Sequence, residues 1–563
     1  MTRTIFSILL ALLLLPAPLR AEKLSPMAHA EKLHRHGSYA AAQAAYGKLL
    51  RGKQRQRALL GLARMKLEVG EPAAALMAAR KVQGKGLGAA ARLVIAQALR
   101  FQGKLKEAEA ELDGIPASAG TMWLRAQLEL GQINLEQGKA LAATAALERL
   151  YDAFDAGKIK RTSAEQLTLV AMACRYSDNF RDAADTLAEA LQLDPTYLEA
   201  YLELGEISLE KYEAGHAERH LGNALKINPN HPRALVGMAR VKQEQTAHTA
   251  EALKLLTRAR QVAPGDPEPR IAQASLLLDA ERYTEAEEAL VRALERSPRH
   301  LRALSILGAS FLLRDDTGSF LRTRARVLKL NPRYSAFFNV AVHHLVRHHR
   351  YAEALEQGKQ AVKLDPRDWY ALADLGTNYL RLGDDEQGIK LLRQAWKGDR
   401  FNVRTFNLLN LFEQELARNY IFISSPHFKL RVHKDEAKIL SRTVVPELER
   451  AYATYKKKYR FAPRAPIVIE LFKDPKSYAI RTVGLPGLSA LGVCFGRVIT
   501  AISPVGGRFN WGQVLWHELN HVFTIQLSRS RVPRWLTEGL AEYETDTAHP
   551  EWGRHHQLEL YHA

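Results

Sequence analysis

Two histidines near the C-terminus, His517 and His521, are spaced for joint metal binding. Residues four apart lie on the same face of an α-helix, one turn from each other. This separation lets two imidazole nitrogens bind one Zn²⁺ ion at about 2 Å each. Glu518 directly follows the first histidine, so its carboxylate can act as a general base beside the metal. The segment from Trp535 to Tyr543 offers carboxylates that could complete a ligand set of two histidines and one glutamate.

An alternation of predicted strands and helices leads to this pentapeptide. Strands are indicated where apolar and polar residues alternate, and helices where apolar residues recur with the helical period. The predicted elements are a strand at His427–His433, a helix from Asp435 to about Tyr459, strands at Ile467–Phe472 and Leu491–Ile502, a helix from Asn510 to about Leu527, and a last segment from Trp535 to about Thr545. This order predicts an α+β domain whose metal-binding helix follows a strand.

Two segments carry a resemblance to a known family. His517-Glu-Leu-Asn-His521 and Trp535-Leu-Thr-Glu-Gly-Leu-Ala541 resemble the motifs of the peptidase MA-like family, the gluzincin type of HExxH zinc metallopeptidase. The resemblance covers about residues 427–545. It implies a thermolysin-like α+β fold, Zn²⁺ as the cofactor and a peptide as the substrate.

The resemblance also assigns roles to individual residues. It implies that His517, His521 and Glu538 are the metal ligands and that Glu518 is the catalytic base. Glu542 lies one helical turn beyond Glu538, where it could accept a hydrogen bond from the free nitrogen of a ligand histidine. The alternative for Glu542 is an ordinary exposed carboxylate.

One part of the family's site has no clear counterpart. The resemblance implies a tyrosine or histidine further along the chain that stabilises the oxyanion. No residue after Glu538 stands in a motif that identifies it. The candidates are Tyr543, His549, His555, His556, Tyr561 and His562.

A repeat occupies the chain from about residue 28 to 405. Its mark is a proline that ends a predicted helix, at intervals of 34 or 35 residues. These prolines are Pro195, Pro229, Pro264, Pro298, Pro332 and Pro366. Glycines in predicted turns extend a similar spacing towards the N-terminus, at Gly37, Gly70, Gly103 and Gly138.

A period of 34 residues resembles the tetratricopeptide repeat, a pair of antiparallel helices. In the unit that ends at Pro229, Gly205 and Ala217 are predicted to let the two helices approach closely. The resemblance covers residues 165–410, with degenerate helical repeats at 22–164. It implies an α-solenoid, so that the whole chain is mainly helical, and a concave face that binds a protein or peptide partner.

A histidine cluster within the repeats is a second candidate metal site. His344 and His348 are four residues apart on a predicted helix. No carboxylate stands in register with them, and the neighbouring Arg347 and Arg350 are cationic. We therefore expect a solvated or partner-facing surface here.

The N-terminus resembles an export signal. Arg3 precedes an apolar run from Ile5 to Leu15, and Ala21 offers a small residue for cleavage, so residues 1–21 are predicted to be a signal peptide. The run of 11 residues is shorter than the roughly 20 that span a bilayer, although an uncleaved membrane anchor is the alternative. The protein is therefore expected to be exported, either periplasmic or secreted.

Charge and cysteine content limit the classes of function and of binding site that the protein could have. The 563 residues carry a net charge of +19, from 80 Lys+Arg against 61 Asp+Glu. The basic residues are spread over helix faces without interleaved aromatic residues, so no nucleic acid is expected, while association with an anionic envelope surface would suit the charge. The two cysteines, Cys174 and Cys494, fall in different predicted domains, which excludes a disulfide framework and a cysteine-based zinc site.

The sequence thus predicts an exported zinc-dependent metallopeptidase that hydrolyses peptide bonds. Its repeats at 165–410 would recruit a partner or substrate to a zinc domain at 420–563. The alternative is a catalytically weak or inactive envelope scaffold that uses both parts for protein–protein binding. The missing oxyanion residue favours the scaffold, and the intact Glu518 favours the enzyme.

Overall fold

The computed structural model describes residues 24–84, 86–211, 213–244 and 249–549. The predicted signal peptide, residues 1–21, lies outside the described residues. The described residues are mainly helical, as the repeats predict, and include one small sheet in their C-terminal part.

Twenty-two helices between residues 26 and 398 pack as eleven consecutive pairs. The first helices of the pairs are Pro26–Arg35 (α1), Arg55–Glu68 (α3), Gly88–Phe101 (α5), Thr121–Glu136 (α7), Ala164–Tyr176 (α9), Leu198–Glu210 (α11), Pro232–Glu244 (α13), Glu268–Asp279 (α15), Leu301–Leu313 (α17), Ala336–Arg347 (α19) and Trp369–Arg381 (α21). The second helices are Tyr39–Leu49 (α2), Pro72–Ala79 (α4), Leu105–Asp113 (α6), Ala140–Asp155 (α8), Phe180–Leu193 (α10), Ala214–Ile227 (α12), Thr249–Val262 (α14), Tyr283–Arg296 (α16), Thr317–Leu330 (α18), Tyr351–Leu364 (α20) and Asp385–Gly398 (α22). A short 3₁₀ turn at Ala117–Ala119 precedes α7.

Small residues hold the two helices of a pair together. A Cβ atom added at Gly205 on α11 would lie 2.7 Å from Leu221 Cδ2 on α12, and Ala217 is fully buried. The predicted close approach at Gly205 and Ala217 is thereby confirmed. Since interiors are packed to crystal-like density, any larger side chain at either position would push the helices apart.

Successive turns of the solenoid touch each other. Asn230 Nδ2 donates to the Gly37 carbonyl (3.1 Å), Asn331 Nδ2 donates to the Leu135 carbonyl (3.0 Å), and Lys211 Nζ lies 2.6 Å from Asp399 Oδ2. These contacts join residues 188 to 196 positions apart, which corresponds to about five and a half repeats of 34 residues. The repeats therefore wind into a tight superhelix.

The C-terminal domain begins where the repeats end. Its helices and strands are Val403–Asn410 (α23), a π-helical segment at Leu411–Leu416, Ala417–Asn419 (α24), Tyr420–Ser424 (β1), Phe428–His433 (β2), Ala437–Tyr459 (α25), Ile467–Phe472 (β3), Pro475–Val483 (α26), Gly492–Cys494 (β4), Val498–Ile502 (β5), Trp511–Leu527 (α27) and Arg534–Ala548 (α28). The sheet order is β1-β2-β3-β5-β4, with β2, β3 and β5 parallel and both edge strands antiparallel. Its core lies between the sheet and helices α25 and α27.

The elements predicted here agree with the structure except for one strand, while α24, α26 and β1 were not predicted. The predicted strand Leu491–Ile502 is wrong as a single strand, because a turn with Gly496 at φ +81° divides it into the hairpin β4–β5. The apolar run continues through both arms, so hydropathy alone hides the turn. Strand β1 was not predicted, since it follows α24 without an intervening loop.

The C-terminal domain is docked on the turns between paired helices of the late repeats. Arg531 binds the Asp315 carboxylate through two nitrogens at 2.8 Å each and Glu353 Oε1 at 2.7 Å. The backbone N–H of Arg534, at the start of α28, donates to Glu281 Oε1 (2.8 Å). The repeats therefore fix the position of α28, which carries Glu538.

The described residues include no helix that is long and apolar enough to cross a membrane. Both cysteines, Cys174 and Cys494, are buried and free.

Candidate metal centre

Helix α27 presents both histidines of the pentapeptide on one face. Asn510 caps the helix by accepting from the Gln513 N–H (3.2 Å), and the opposite face packs on the sheet through residues such as Leu519. His517 and His521 consequently face α28, with their ring centroids 4.8 Å apart.

Helix α28 brings Glu538 to the two histidines. Glu538 Oε2 lies 3.4 Å from His517 Nε2 and 3.3 Å from His521 Nε2, and the two Nε2 atoms are 3.1 Å apart. In a tetrahedral zinc site with bonds of 2.0–2.1 Å, neighbouring ligand atoms are about 3.3 to 3.4 Å apart. The three predicted ligand atoms thus form a triangle of the size that zinc requires.

A chain of hydroxyl groups fixes the tautomer of His521. The Thr524 hydroxyl donates to the Asn520 carbonyl (3.2 Å), which leaves its oxygen to accept from Thr537, 2.7 Å away. Thr537 Oγ1, 2.9 Å from His521 Nδ1, must then accept the Nδ1 proton. The Nε2 atom of His521 therefore carries a lone pair, and that lone pair faces Glu538.

Glu542 has the corresponding position beside His517. Its Oε1 lies 3.4 Å from His517 Nδ1, where a carboxylate favours an N–H on that nitrogen. The Nε2 atom of His517 is then free to act as a ligand. Glu542 is also exposed, with 61% of its side chain accessible, so both alternatives for this residue stay open.

The donor set fits a metal cation. Two imidazole lone pairs and a carboxylate oxygen meet at one point, which is unfavourable unless a positive charge lies between them. When the two imidazoles are protonated, their hydrogen bonds hold the pKa of Glu538 well below its ordinary value, so the carboxylate is ionised. Two nitrogens and one oxygen are a ligand set that zinc takes in catalytic sites.

Glu518 lies beneath this triangle in a dry environment. Its side chain is buried, and its Oε2 has no hydrogen-bond partner among the described residues. Gly492 on β4 makes room for it, because a Cβ there would lie 2.8 Å from Glu518 Oε1. Burial raises the pKa of Glu518, and the neighbouring His521 and His517 only partly offset this. A carboxylate of raised pKa is a better proton acceptor near neutral pH.

The described candidates for an oxyanion donor make their contacts with residues outside the ligand set. The exposed Tyr543 ring packs near the Lys458 ammonium, 5.5 Å from it, and the His549 ring lies 4.7 Å from the Trp516 ring. The remaining candidates, His555, His556, Tyr561 and His562, lie outside the described residues.

A second cluster corrects two expectations, because a carboxylate does lie beside the histidines and His344 and His348 are buried instead of solvated. Asp279 Oδ1 of α15 lies 3.0 Å from His344 Nδ1, although no carboxylate was expected there, because the partner comes from an earlier repeat. Asp279, His343 and His344 are close enough to share an ion. However, the Arg347 guanidinium lies 3.3 Å from both Asp279 Oδ2 and His343 Nε2, so a cation already fills the space. His348 Nε2 is paired with the Leu278 carbonyl (2.9 Å).

Two residues that shape the site were not predicted from the sequence. Thr537 directly precedes the predicted ligand Glu538 but carries no signal of its own in the sequence. Gly492 is a glycine within an apolar run, a pattern that can indicate close approach of another group. The sequence shows this glycine, but it does not identify Glu518 as the group that approaches it.

Comparison with known proteins identifies the repeats. A family model described as tetratricopeptide repeat matches residues 208–276 and 245–309, and a second model of the same description matches residues 339–402. Among solved structures, the chain is similar to yeast Tom70, with 15% identity over 70% of this chain and 96% of that chain and a TM-score of 0.33. A search of curated proteins finds no match. The matched residues lie in the helical pairs α11–α22, and the chain therefore contains tetratricopeptide repeats, a module of protein–protein interaction.

Proposed function

We propose that the C-terminal domain is a zinc-dependent peptidase and that the repeats bring a protein partner or substrate to it. The observation that carries the proposal is the triangle of His517, His521 and Glu538, with edges of 3.1 to 3.4 Å. The buried Glu518 beside it adds a base, which a purely structural metal site does not need. A gluzincin-type, thermolysin-like domain would have this arrangement.

Each group at the site has a separate role in the proposed reaction. Zn²⁺ would polarise a carbonyl and lower the pKa of a coordinated water towards neutrality. Thr537 and Glu542 orient the two ligand imidazoles through their Nδ1 atoms. Glu518 accepts a proton, and its dry surroundings strengthen every charge interaction in the site.

The substrate we propose is an extended peptide. Strand β4 is an edge of the sheet and runs beside α27, with Gly492 against Glu518. A peptide could pair with the outer edge of β4 and so pass over the catalytic carboxylate. The exposure of Glu538, whose side chain is 48% accessible, leaves the ligands open to such a substrate.

The repeats would supply recruitment. A cavity of about 710 Å³ is bordered by the first helices of several late repeats and carries acidic and basic side chains in mixed order. Such a lining suits a polar peptide segment better than a nucleic acid, whose phosphates need an excess of cations. We propose export to the periplasm or outside the cell, with the cationic surface near an anionic envelope.

A second candidate function is a scaffold of little or no catalytic activity. Two observations favour it. The matching family models end at residue 402, before the C-terminal domain begins. Neither Tyr543 nor His549 is placed to donate to a substrate oxygen.

Cleavage of a peptide library by the zinc-loaded full-length chain separates the two functions. The enzyme predicts cleavage by the wild type, a loss of about 10²-fold to 10⁴-fold in Glu518→Gln with zinc retained, and no loss in the exposed control Glu356→Gln. Bound zinc without cleavage by any of the three proteins would establish the scaffold. A wild type that binds no zinc would overturn the ligand assignment.

A further inference from the structure

The turn between α19 and α20 of the tenth helical pair lies against the β4–β5 turn of the C-terminal domain. Tyr351, the first residue of α20, packs edge-on against Phe495 at the β4–β5 turn, with 5.7 Å between ring centroids. A Cβ added at Gly496 would lie 4.0 Å from the Tyr351 ring. The repeat therefore meets the strand whose other end covers Glu518.

His349, in this turn, has a buried nitrogen without a partner. Its backbone adopts a left-handed conformation (φ 57°), which is uncommon for a residue other than glycine. Its Nδ1 lies 3.2 Å from the Tyr351 hydroxyl, and its Nε2 has no partner among the described residues. Buried polar atoms of this kind call for an explanation, because leaving them unpaired is costly.

The pairing with Tyr351 decides which nitrogen carries the proton. Burial raises the pKa of Tyr351, so its hydroxyl keeps its proton, and Nδ1 is the acceptor within reach. If the hydroxyl donates to Nδ1, Nε2 carries the imidazole proton, and this Nε2 N–H is the only group of the pair left without a partner. The opposite arrangement would leave both the hydroxyl proton and Nε2 unpaired. His349 therefore holds an N–H on Nε2.

Two residues of the candidate metal centre, His521 and Glu538, influence the pKa of His349. Burial lowers the pKa of His349 to about 4, and the neighbouring His521 and Arg534 lower it further, while Glu538 opposes them. The imidazole is thus neutral at neutral pH. A neutral N–H donor beside the ligands can hydrogen-bond an oxygen without competing for the metal.

We propose that His349 donates its Nε2 proton to the carbonyl oxygen of a peptide bound at the C-terminal site, so that the repeat domain contributes a residue to the substrate cleft. The inference rests on the proposed function. It accounts for the unpaired nitrogen, and it supplies a donor that Tyr543 and His549 do not. It also makes the docking of the two domains a condition for activity.

Two substitutions at His349 isolate the Nε2 donor. His349→Asn places an amide nitrogen where Nδ1 stands, removes the Nε2 position and tolerates the left-handed backbone. His349→Gln places an amide N–H near the Nε2 position. The half-exposed His216→Asn on α12 is the control for histidine replacement in a repeat helix.

The probe is acetohydroxamate, which has no side chain to match a specificity pocket. Its Kd is measured by calorimetry on zinc-loaded full-length protein, together with zinc content and thermal unfolding. We expect binding about tenfold to a hundredfold weaker in His349→Asn, as for loss of a hydrogen bond to a charged group. Binding should be within about threefold of wild type in His349→Gln and unchanged in His216→Asn, with equal zinc content in all.

Each other outcome decides against the inference. Unchanged affinity in His349→Asn, equal losses in both His349 variants, or a zinc-loaded wild type that does not bind the probe would overturn it and leave the zinc site standing. A wild type that takes up no zinc would overturn the proposed function and this inference together.

Discussion

At the scale of single residues, the site depends on which nitrogen of each histidine carries the proton. The hydroxyl chain from Thr524 through Thr537 leaves a lone pair on His521 Nε2. Residues that orient a ligand in this way typically contribute 10-fold to 100-fold to metal affinity. Thr537, although it does not touch the metal position, is therefore part of the metal centre.

Replacement of Thr537 by valine tests this role. Thr537→Val keeps the shape but removes the acceptor for His521 Nδ1, and we expect zinc affinity to fall about 10-fold to 100-fold. Competition with a chromogenic chelator measures it. The control is Thr545→Val, a buried threonine two turns further along α28 whose hydroxyl donates to the Ala541 carbonyl. Equal zinc affinity in wild type and Thr537→Val would contradict the assignment.

The pH dependence of zinc binding follows from His517. Burial alone would lower the pKa of His517, but the hydrogen bond with Glu538 and the charges of Glu518 and Glu542 raise it above 6.5. Zinc needs the neutral imidazole, so protonation competes with it. We expect zinc affinity to decline as the pH falls, and this decline should begin above pH 6.5 in the wild type. In Glu542→Gln the decline should be shifted to lower pH, because one of the charges that raise the pKa of His517 is removed. A midpoint below 6.5 in the wild type would argue against this electrostatic balance.

At the scale of elements, close packing within a helix pair decides stability. Valine at Gly205 would collide with the fully buried Leu221 on the partner helix. Overpacking of this kind costs about 1–3 kcal/mol. We expect Gly205→Val to lower the midpoint of thermal unfolding, as followed by circular dichroism.

The matched control for this prediction is Gly222→Val in the next helix. A Cβ at Gly222 meets nothing closer than 4.0 Å, so the same replacement should be close to neutral or slightly stabilising. Equal unfolding midpoints for the Gly205 and Gly222 variants would show that the close approach has no energetic weight.

Secondary structure was largely predictable because local patterns determine it. The strand Ile467–Phe472 and the helices around His517 follow from periodicity, and the 34-residue spacing predicted the paired helices. The hairpin around Gly496 was not resolved, because apolar residues occupy both of its arms. The motif predicted His517, His521 and Glu538 as metal ligands, and the structure brings these three side chains together.

At the scale of the whole molecule, the two domains share one hydrophobic core. Phe472 of β3 is fully buried in a cluster that includes Leu372 and Leu380 of α21 and Leu408 of α23. The packing of Tyr351 in α20 against Phe495 at the β4–β5 turn is likewise an interdomain property. Residues so far apart in sequence leave no local pattern, which is why neither feature could be predicted.

Hydrogen exchange tests whether the domains are coupled. Phe472→Ala should destabilise by about 3–5 kcal/mol and reduce amide protection in α21 and α22 as well as in the sheet. Phe523→Ala is the control, since Phe523 is equally buried but packs only within the C-terminal core. Loss of protection confined to the sheet in both variants would show that the domains unfold independently.

The zinc content of the purified full-length protein tests the central claim most directly. After zinc loading and dialysis, elemental analysis should find about one more zinc per chain in the wild type and in the surface control His216→Ala than in His521→Ala. A wild type without zinc, or a His521→Ala variant with as much zinc as the wild type, would contradict the metal centre formed by His517, His521 and Glu538.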